Sequence, residues 1–163
     1  MSRGVSEALW RVGVVSDTHG LVRPELSQAF RGADLIVHAG DIGSQEVLEV
    51  LEAIAPVYAV RGNVDLPHRW AQALPDLLDL EVGAARLRIV HRRQDLETPL
   101  DDCDAVIFGH SHQPEYVRRR GRLHLNPGSA GPRRFSLPVT CALLWIRGRR
   151  IRGRIVPLLH RSR

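Results

Sequence analysis

Gly109-His110-Ser111-His112 directly follows the apolar run 105–108, and this joining of a buried strand to a ligand-rich loop decides the fold. Three more segments repeat it. Asp17-Thr18-His19 ends the run 12–16, Gly40-Asp41 follows 34–38, and Gly62-Asn63-Val64-Asp65 follows 57–60. In α/β sheets, loops beyond the strand ends converge on the binding site. These four ends supply carboxylates, imidazoles and one carboxamide, the groups that hold two divalent metal ions side by side.

Between the motifs the chain alternates. Pro24 suits a first helical turn, so residues 25–31 read as helix. Ser44 is a candidate N-cap, and Val47, Leu48, Leu51 and Ile54 recur at helical spacing, which predicts a helix over 45–55. Strand–helix–strand alternation implies a parallel sheet with crossover helices. The second half reads as hairpins. Strands 77–82 and 86–90 flank Gly83-Ala84-Ala85, 115–119 and 123–125 flank Arg120-Gly121-Arg122, and 140–146 and 150–156 flank Arg147-Gly148-Arg149. With no repeat, low-complexity stretch or linker, residues 1–163 read as one α/β domain.

The hydrophobic fraction of 44% and charged fraction of 25% are those of a soluble globular chain. No apolar run approaches the ~20 residues that span a bilayer, and residues 1–10 lack a signal-peptide core. The cytoplasm is the expected compartment and no membrane partner is expected. Cys103 and Cys141 form no motif with each other and read as buried or half-buried free thiols. The net charge is +5, and all 23 basic residues are arginine. Such usage reads as coding bias over the whole chain, so nucleic acid is not an expected partner.

Asp17 and His19 lie two apart, as do His110 and His112, so in extended chain each pair points one way. Glycine at 40, 62 and 109 lets the backbone turn beside a crowded site. A donor set of oxygen and nitrogen without thiolate favours manganese, iron, zinc, cobalt or nickel over calcium or a cysteine-rich zinc site. Asp41 is the best candidate to bridge two ions. Each motif alone has a plainer reading as a cap, a turn or a solvated loop. Their ordered conjunction at four strand ends is what points to metal.

The order Asp-x-His, Gly-Asp, Gly-Asn, His, Gly-His-x-His resembles the calcineurin-like metallophosphoesterases, over residues 12–128. Asn126-Pro127-Gly128-Ser129 further resembles the small bacterial and archaeal phosphodiesterase branch. The resemblance implies a four-layer αββα sandwich of two mixed β-sheets flanked by helices. It implies that Asp17, His19, Asp41 and His112 hold one metal, and Asp41, Asn63, His91 and His110 the other. Manganese would be the first choice of ion. Asp41, Asn63 and His110 would be central to catalysis. The implied activity is hydrolysis of a small phosphodiester by a metal-bound hydroxide. The alternatives are a protein-binding scaffold like the retromer subunit of this fold, or a nucleotide or nucleic-acid phosphodiesterase. The scaffold predicts a large exposed apolar patch, and the nuclease a basic groove running into the metal site. A homo-oligomer is left open.

The chain departs from the family at two places. Val64 stands where many members carry a proton-donating histidine, and His91-Arg92-Arg93 stands where relatives read His-Gly-His. Arg92 and Arg93 are either phosphate contacts or solvated side chains. His68 is the nearby histidine that could replace the missing acid. His38 packs at a strand end or supports the site; His124 and His160 read as bland. Asp65 orients water or ligand, or caps the next segment. Arg150, Arg152 and Arg154 read as one solvated strand face.

Overall fold

Short buried runs separated by turns build ten strands and two α-helices in the computed structural model, which describes residues 7–96, 99–134 and 136–159; His160 lies outside these. The first half gives β1 (Leu9–Val15), α1 (Pro24–Ala29), β2 (Leu35–His38), α2 (Gln45–Glu52) and β3 (Val57–Ala59). β1, β2 and β3 pair in parallel, as the strand–helix alternation requires. There follow β4 (Leu77–Val82), β5 (Ala85–Val90), β6 (Ala105–Ile107), β7 (Glu115–Arg119), β8 (Arg122–Asn126), β9 (Thr140–Arg147) and β10 (Arg150–Pro157). One sheet has the order β10-β9-β1-β2-β3 and the other β4-β5-β6-β8-β7. Both are mixed: β9 joins β1 antiparallel, and β5, β6 and β8 form the parallel centre of the second sheet.

Side-chain alternation sorts the core into two layers. Val12, Val14 and Val37 of the first sheet meet Leu87, Ile89, Ile107 and Leu125 of the second, all fully buried. On the first sheet's other face Ile36 and Leu143 pack under Leu26, Phe30, Val47 and Leu51 from the helical segments. Gly13 allows that approach, because a Cβ there would stand 2.7 Å from the Phe30 ring. Both α-helices thus cover one sheet. Over the second sheet the described residues form no α-helix. The 3-10 turn Arg93–Asp95 leads into the chain before β6, and Arg122 grips that chain by the Leu100 and Cys103 carbonyls.

Three local expectations shift. α2 ends at Glu52 because Pro56 disfavours helical backbone at Ala55, and the chain closes over Ala53 instead. The β4–β5 loop is the two residues Gly83-Ala84, since Ala85 pairs with Val82. The 3-10 turns Asn63–Asp65 and Arg69–Ala71 appear where no periodicity announced them. Cys103 and Cys141 are free and buried as expected, and burial pushes the Cys141 thiol up to about 12. Among the described residues no helix is long and apolar enough to cross a membrane.

Candidate metal centre

All seven expected ligands lie just beyond strands, and they come from both sheets. Asp17 and His19 follow β1, Asp41 follows β2 and Asn63 follows β3; His91 follows β5, and His110 and His112 follow β6. They gather as two groups. Ligand atoms of Asp17, His19 and His112 lie within 4.8 Å of one another, and so do those of Asp41, His91 and His110. Asp41 stands between the groups: its Oδ2 is 3.2 Å from His91 Nε2 and 3.8 Å from His19 Nε2. Exposed Asn63 lines a cavity of about 470 Å³ with His91.

The backbone is bent to make this arrangement. Six non-glycine residues among those described have positive φ, and five are Asp17, His19, Asp41, His110 and His112, at 47° to 74°. Left-handed backbone costs about 1–3 kcal/mol per residue and persists only where neighbours enforce it. The loops enforce it on one another. Asp17 N–H donates to the Gly40 carbonyl at 2.9 Å and His19 N–H to the Asp41 carbonyl at 3.0 Å. His110 N–H donates to Asp17 Oδ2 at 3.1 Å, across the two sheets. Only one of the three expected glycines, Gly40, is needed for its dihedral, φ 98°. Gly62 and Gly109 are needed for space: a Cβ would run into Asp41 at the first and stand 2.6 Å from Asp17 Oδ2 at the second.

Polar groups beneath the ligands complete the frame. Asp65, fully buried, accepts N–H bonds from Ile42, Gly43 and Gly62 at 2.8–3.1 Å, so one carboxylate ties the Asp41 loop to the Asn63 loop. It caps a turn, as one of the sequence readings had it, and sets two strand ends in register as well. Asn126 donates to the Gly109 carbonyl and to Ser111 Oγ, and Ser129 Oγ donates to the Asp17 carbonyl at 2.9 Å. The Asn-Pro-Gly-Ser segment therefore braces ligand loops of both sheets. His38 supports the site from within: its Nδ1 accepts from Gly40 N–H, so Nε2 donates to Thr18 Oγ1 at 3.0 Å.

Electrostatics prepare the donors. Burial raises the Asp41 carboxyl, but His91 beside it and the Val64 N–H outweigh this and hold it at about 2. Burial likewise raises Asp17, and the His112 and His91 imidazoles bring it below the usual range. Burial lowers His19 against the pull of Asp41 and Asp17, and holds His38 at about 4. His91 is the exception: burial lowers it, and Asp41 and Asp17 raise it further. Its Nδ1 stands 2.8 Å from the Ala39 carbonyl, which can only accept, so Nε2 faces the site. Asp17 Oδ1, His91 Nε2 and His112 Nδ1 are buried without a hydrogen-bond partner. Ionised carboxylates gathered with imidazole nitrogens in two groups fit a pair of divalent ions.

Arg92 and Arg93 diverge from the strand end, each engaged. Arg92 pairs with Asp95 at 2.8 Å on the Asn63 side. Arg93 pairs with Glu115 at 2.7 Å, lies over the Phe108 ring, and lines a cavity of about 440 Å³ with His110. Val64 is exposed, and its N–H donates to Asp41 Oδ1 at 3.1 Å. His68 stacks on Trp70 and lines neither cavity. His124 is half-buried in β8.

Known proteins resemble this chain in sequence and in fold. A model of the calcineurin-like phosphoesterase superfamily domain matches residues 10–149. A protein of Methanothermobacter thermautotrophicus named "probable metallophosphoesterase" is 33% identical over 89% of this chain and 91% of its own. One of Methanocaldococcus jannaschii with the same description is 37% identical over 72% of this chain and 67% of its own. Chaetomium thermophilum Vps29 superposes with a TM-score of 0.73 at 18% identity, covering 90% and 97% of the two chains. At that identity the likeness is one of fold.

Proposed function

The chain belongs to the calcineurin-like phosphoesterase superfamily, and on that premise we propose that it is a two-metal phosphodiesterase. The observation that carries the reading is that Asp41 Oδ2, 3.2 Å from His91 Nε2 in its own three-residue donor group, also lies 3.8 Å from His19 Nε2 of the other. Asp17, His19, Asp41 and His112 would hold one ion, and Asp41, Asn63, His91 and His110 the other, with manganese our first choice. Two such ions supply an activated water and the positive charge that an in-line phosphoryl displacement needs. The chain's own residues do the rest. Asp17 and Asp41 stay ionised at neutral pH, the Ala39 carbonyl fixes the His91 ring, and strained loops keep every donor in place. Arg92 and Arg93, released from their carboxylates, would grip the phosphate. Val64 offers no proton, so esters with good leaving groups would turn over best.

A diester substrate is supported by a Methanocaldococcus jannaschii phosphodiesterase that is 25% identical over 72% of this chain and 82% of its own. The cavities beside His110 and beside His91, lined by paired charges, would each receive one ester arm in the cytoplasmic enzyme we envisage. The scaffold reading has only the Vps29 fold behind it. The deciding experiment compares an aryl phosphodiester with the matching monoester, with manganese and with chelator. Faster, chelator-sensitive turnover of the diester is expected. Absence of metal-dependent turnover on both esters overturns the proposal.

A further inference from the structure

Charge is unevenly placed along this chain. Thirteen of the 23 arginines follow Glu115 and none of the 18 carboxylates does, so residues 116–163 carry +13 where residues 1–115 carry −8. Coding bias explains the choice of arginine over lysine. It does not explain a third of the chain without an acid.

The fold gathers part of this charge at one place. β10 edges the first sheet and β7 the second. Where they meet, Tyr116 and Arg118 face Arg149, Arg150, Arg152 and Gly153 across a recess of about 670 Å³. A smaller hollow of about 300 Å³ shares Arg150 and Arg152 and adds Trp145 and Arg147. Arg150, Arg152 and Arg154 alternate along β10 with stems about 7 Å apart, on the face that carries Arg147 and Trp145 and away from Ile151, Gly153 and Tyr116. Some of these cations are engaged. Arg149 pairs with Asp104 at 2.8 Å, Arg118 donates to the Ile151 carbonyl, and Arg154 lies over Trp145. Arg147, Arg150 and Arg152 are exposed and have no carboxylate partner among the described residues. No candidate metal ligand lines the recess.

We propose that the β9–β10 face carrying Arg147, Arg150, Arg152, Arg154 and Trp145 binds the sugar–phosphate backbone of single-stranded nucleic acid, at a site apart from the metal centre. A row of guanidiniums at regular spacing matches a row of phosphates, each able to take two N–H bonds. An aromatic wall beside a cationic track is how single strands are held without reading sequence. Trp145 among these arginines can stack a base only where that base is unpaired, which a duplex does not present and an anionic lipid headgroup does not possess.

The test is anisotropy of a short labelled oligothymidylate with the full-length protein across a salt series. Binding at about 10⁻⁴–10⁻⁶ M is expected at physiological salt, with a log–log salt slope of about −2 for three phosphate contacts. Arg150→Glu/Arg152→Glu should weaken it at least tenfold and flatten the slope. Arg31→Glu/Arg69→Glu, the same charge change at exposed arginines elsewhere, should shift it less than threefold. Thermal unfolding checks the fold of each variant, and Arg152→Gln gives a milder loss in the same direction should the double variant not fold. Equal losses in the two double variants, tighter binding of a duplex or of phosphatidylserine vesicles, or no binding at physiological salt overturns the proposal.

Discussion

Asp17 Oδ1 and His112 Nε2 lie 3.2 Å apart, and His19 Nε2 stands 3.3 Å from the same imidazole nitrogen. Asp17 and His112 come from different sheets and face each other across the centre. A carboxylate oxygen and two imidazole nitrogens converging from both sheets are a donor set that suits a cation.

Asp41 joins the two donor groups, and Asp41→Ala removes a shared ligand and one negative charge. Elemental analysis should find two ions per wild-type chain and essentially none in the variant. Two tightly held ions in Asp41→Ala would show that Asp41 bridges nothing.

Asp65 touches no ligand side chain, yet it holds three N–H groups. Asp65→Ala leaves these donors unpaired at about 1–3 kcal/mol each, so a loss of at least about 3 kcal/mol is expected in urea unfolding. Asp65→Asn keeps one accepting oxygen and should fall between. A loss under about 1 kcal/mol in Asp65→Ala would mean the loops hold register without it.

Arg92 and Arg93 must leave Asp95 and Glu115 to reach a phosphate. Changing either to Ala should raise KM for the diester several-fold and release no metal. Unchanged kinetics in both single variants and in the double variant would leave them as surface ion pairs with little consequence.

In the proposed phosphodiesterase Val64 cannot donate a proton to the leaving group. Val64→His should raise turnover most for alkyl esters and little for aryl diesters, whose leaving groups depart unprotonated. The gain is bounded by the ~10²–10⁴-fold of a well-placed acid. Equal gains on both ester classes would argue for a steric effect instead.

His38 ties stability to pH. Its folded pKa of about 4 lies below the ordinary 6.5, so on acidification the unfolded chain takes up the proton first. Stability therefore falls as pH drops from about 6.5 to about 4, by about 3 kcal/mol in all at 1.36 kcal/mol per unit. His38→Gln, which keeps a donor toward Thr18, should flatten this limb for the metal-free protein. An unaltered pH profile of unfolding would exclude His38 as its source.

Much of this was legible before any coordinates. Each ligand segment follows an apolar run, and four such runs with glycine, aspartate and histidine at their ends announce both the sheet and the site. Asp65 was harder, because an Asp after Gly-Asn-Val looks like any turn residue until the Asp41 loop is folded against it. Asn126 and Ser129 stood out only as a family mark; their work is to bond carbonyls more than ten residues away, which leaves no periodicity in the chain. Counted over the whole chain the arginines read as coding bias, and only the pairing of β9 with β10 shows that some of them share one face.

Because each donor group takes residues from both sheets, an ion bound there is also a cross-link. Sliding one sheet past the other by a single residue would separate Asp17 from His112 and Asp41 from His91 together. Occupancy of each site at a hundredfold over its dissociation constant adds about 2.7 kcal/mol to the folded state. The sandwich and its chemistry are thus under one selection: a substitution that loosens the interlayer packing is felt first as lost metal, well before the chain unfolds.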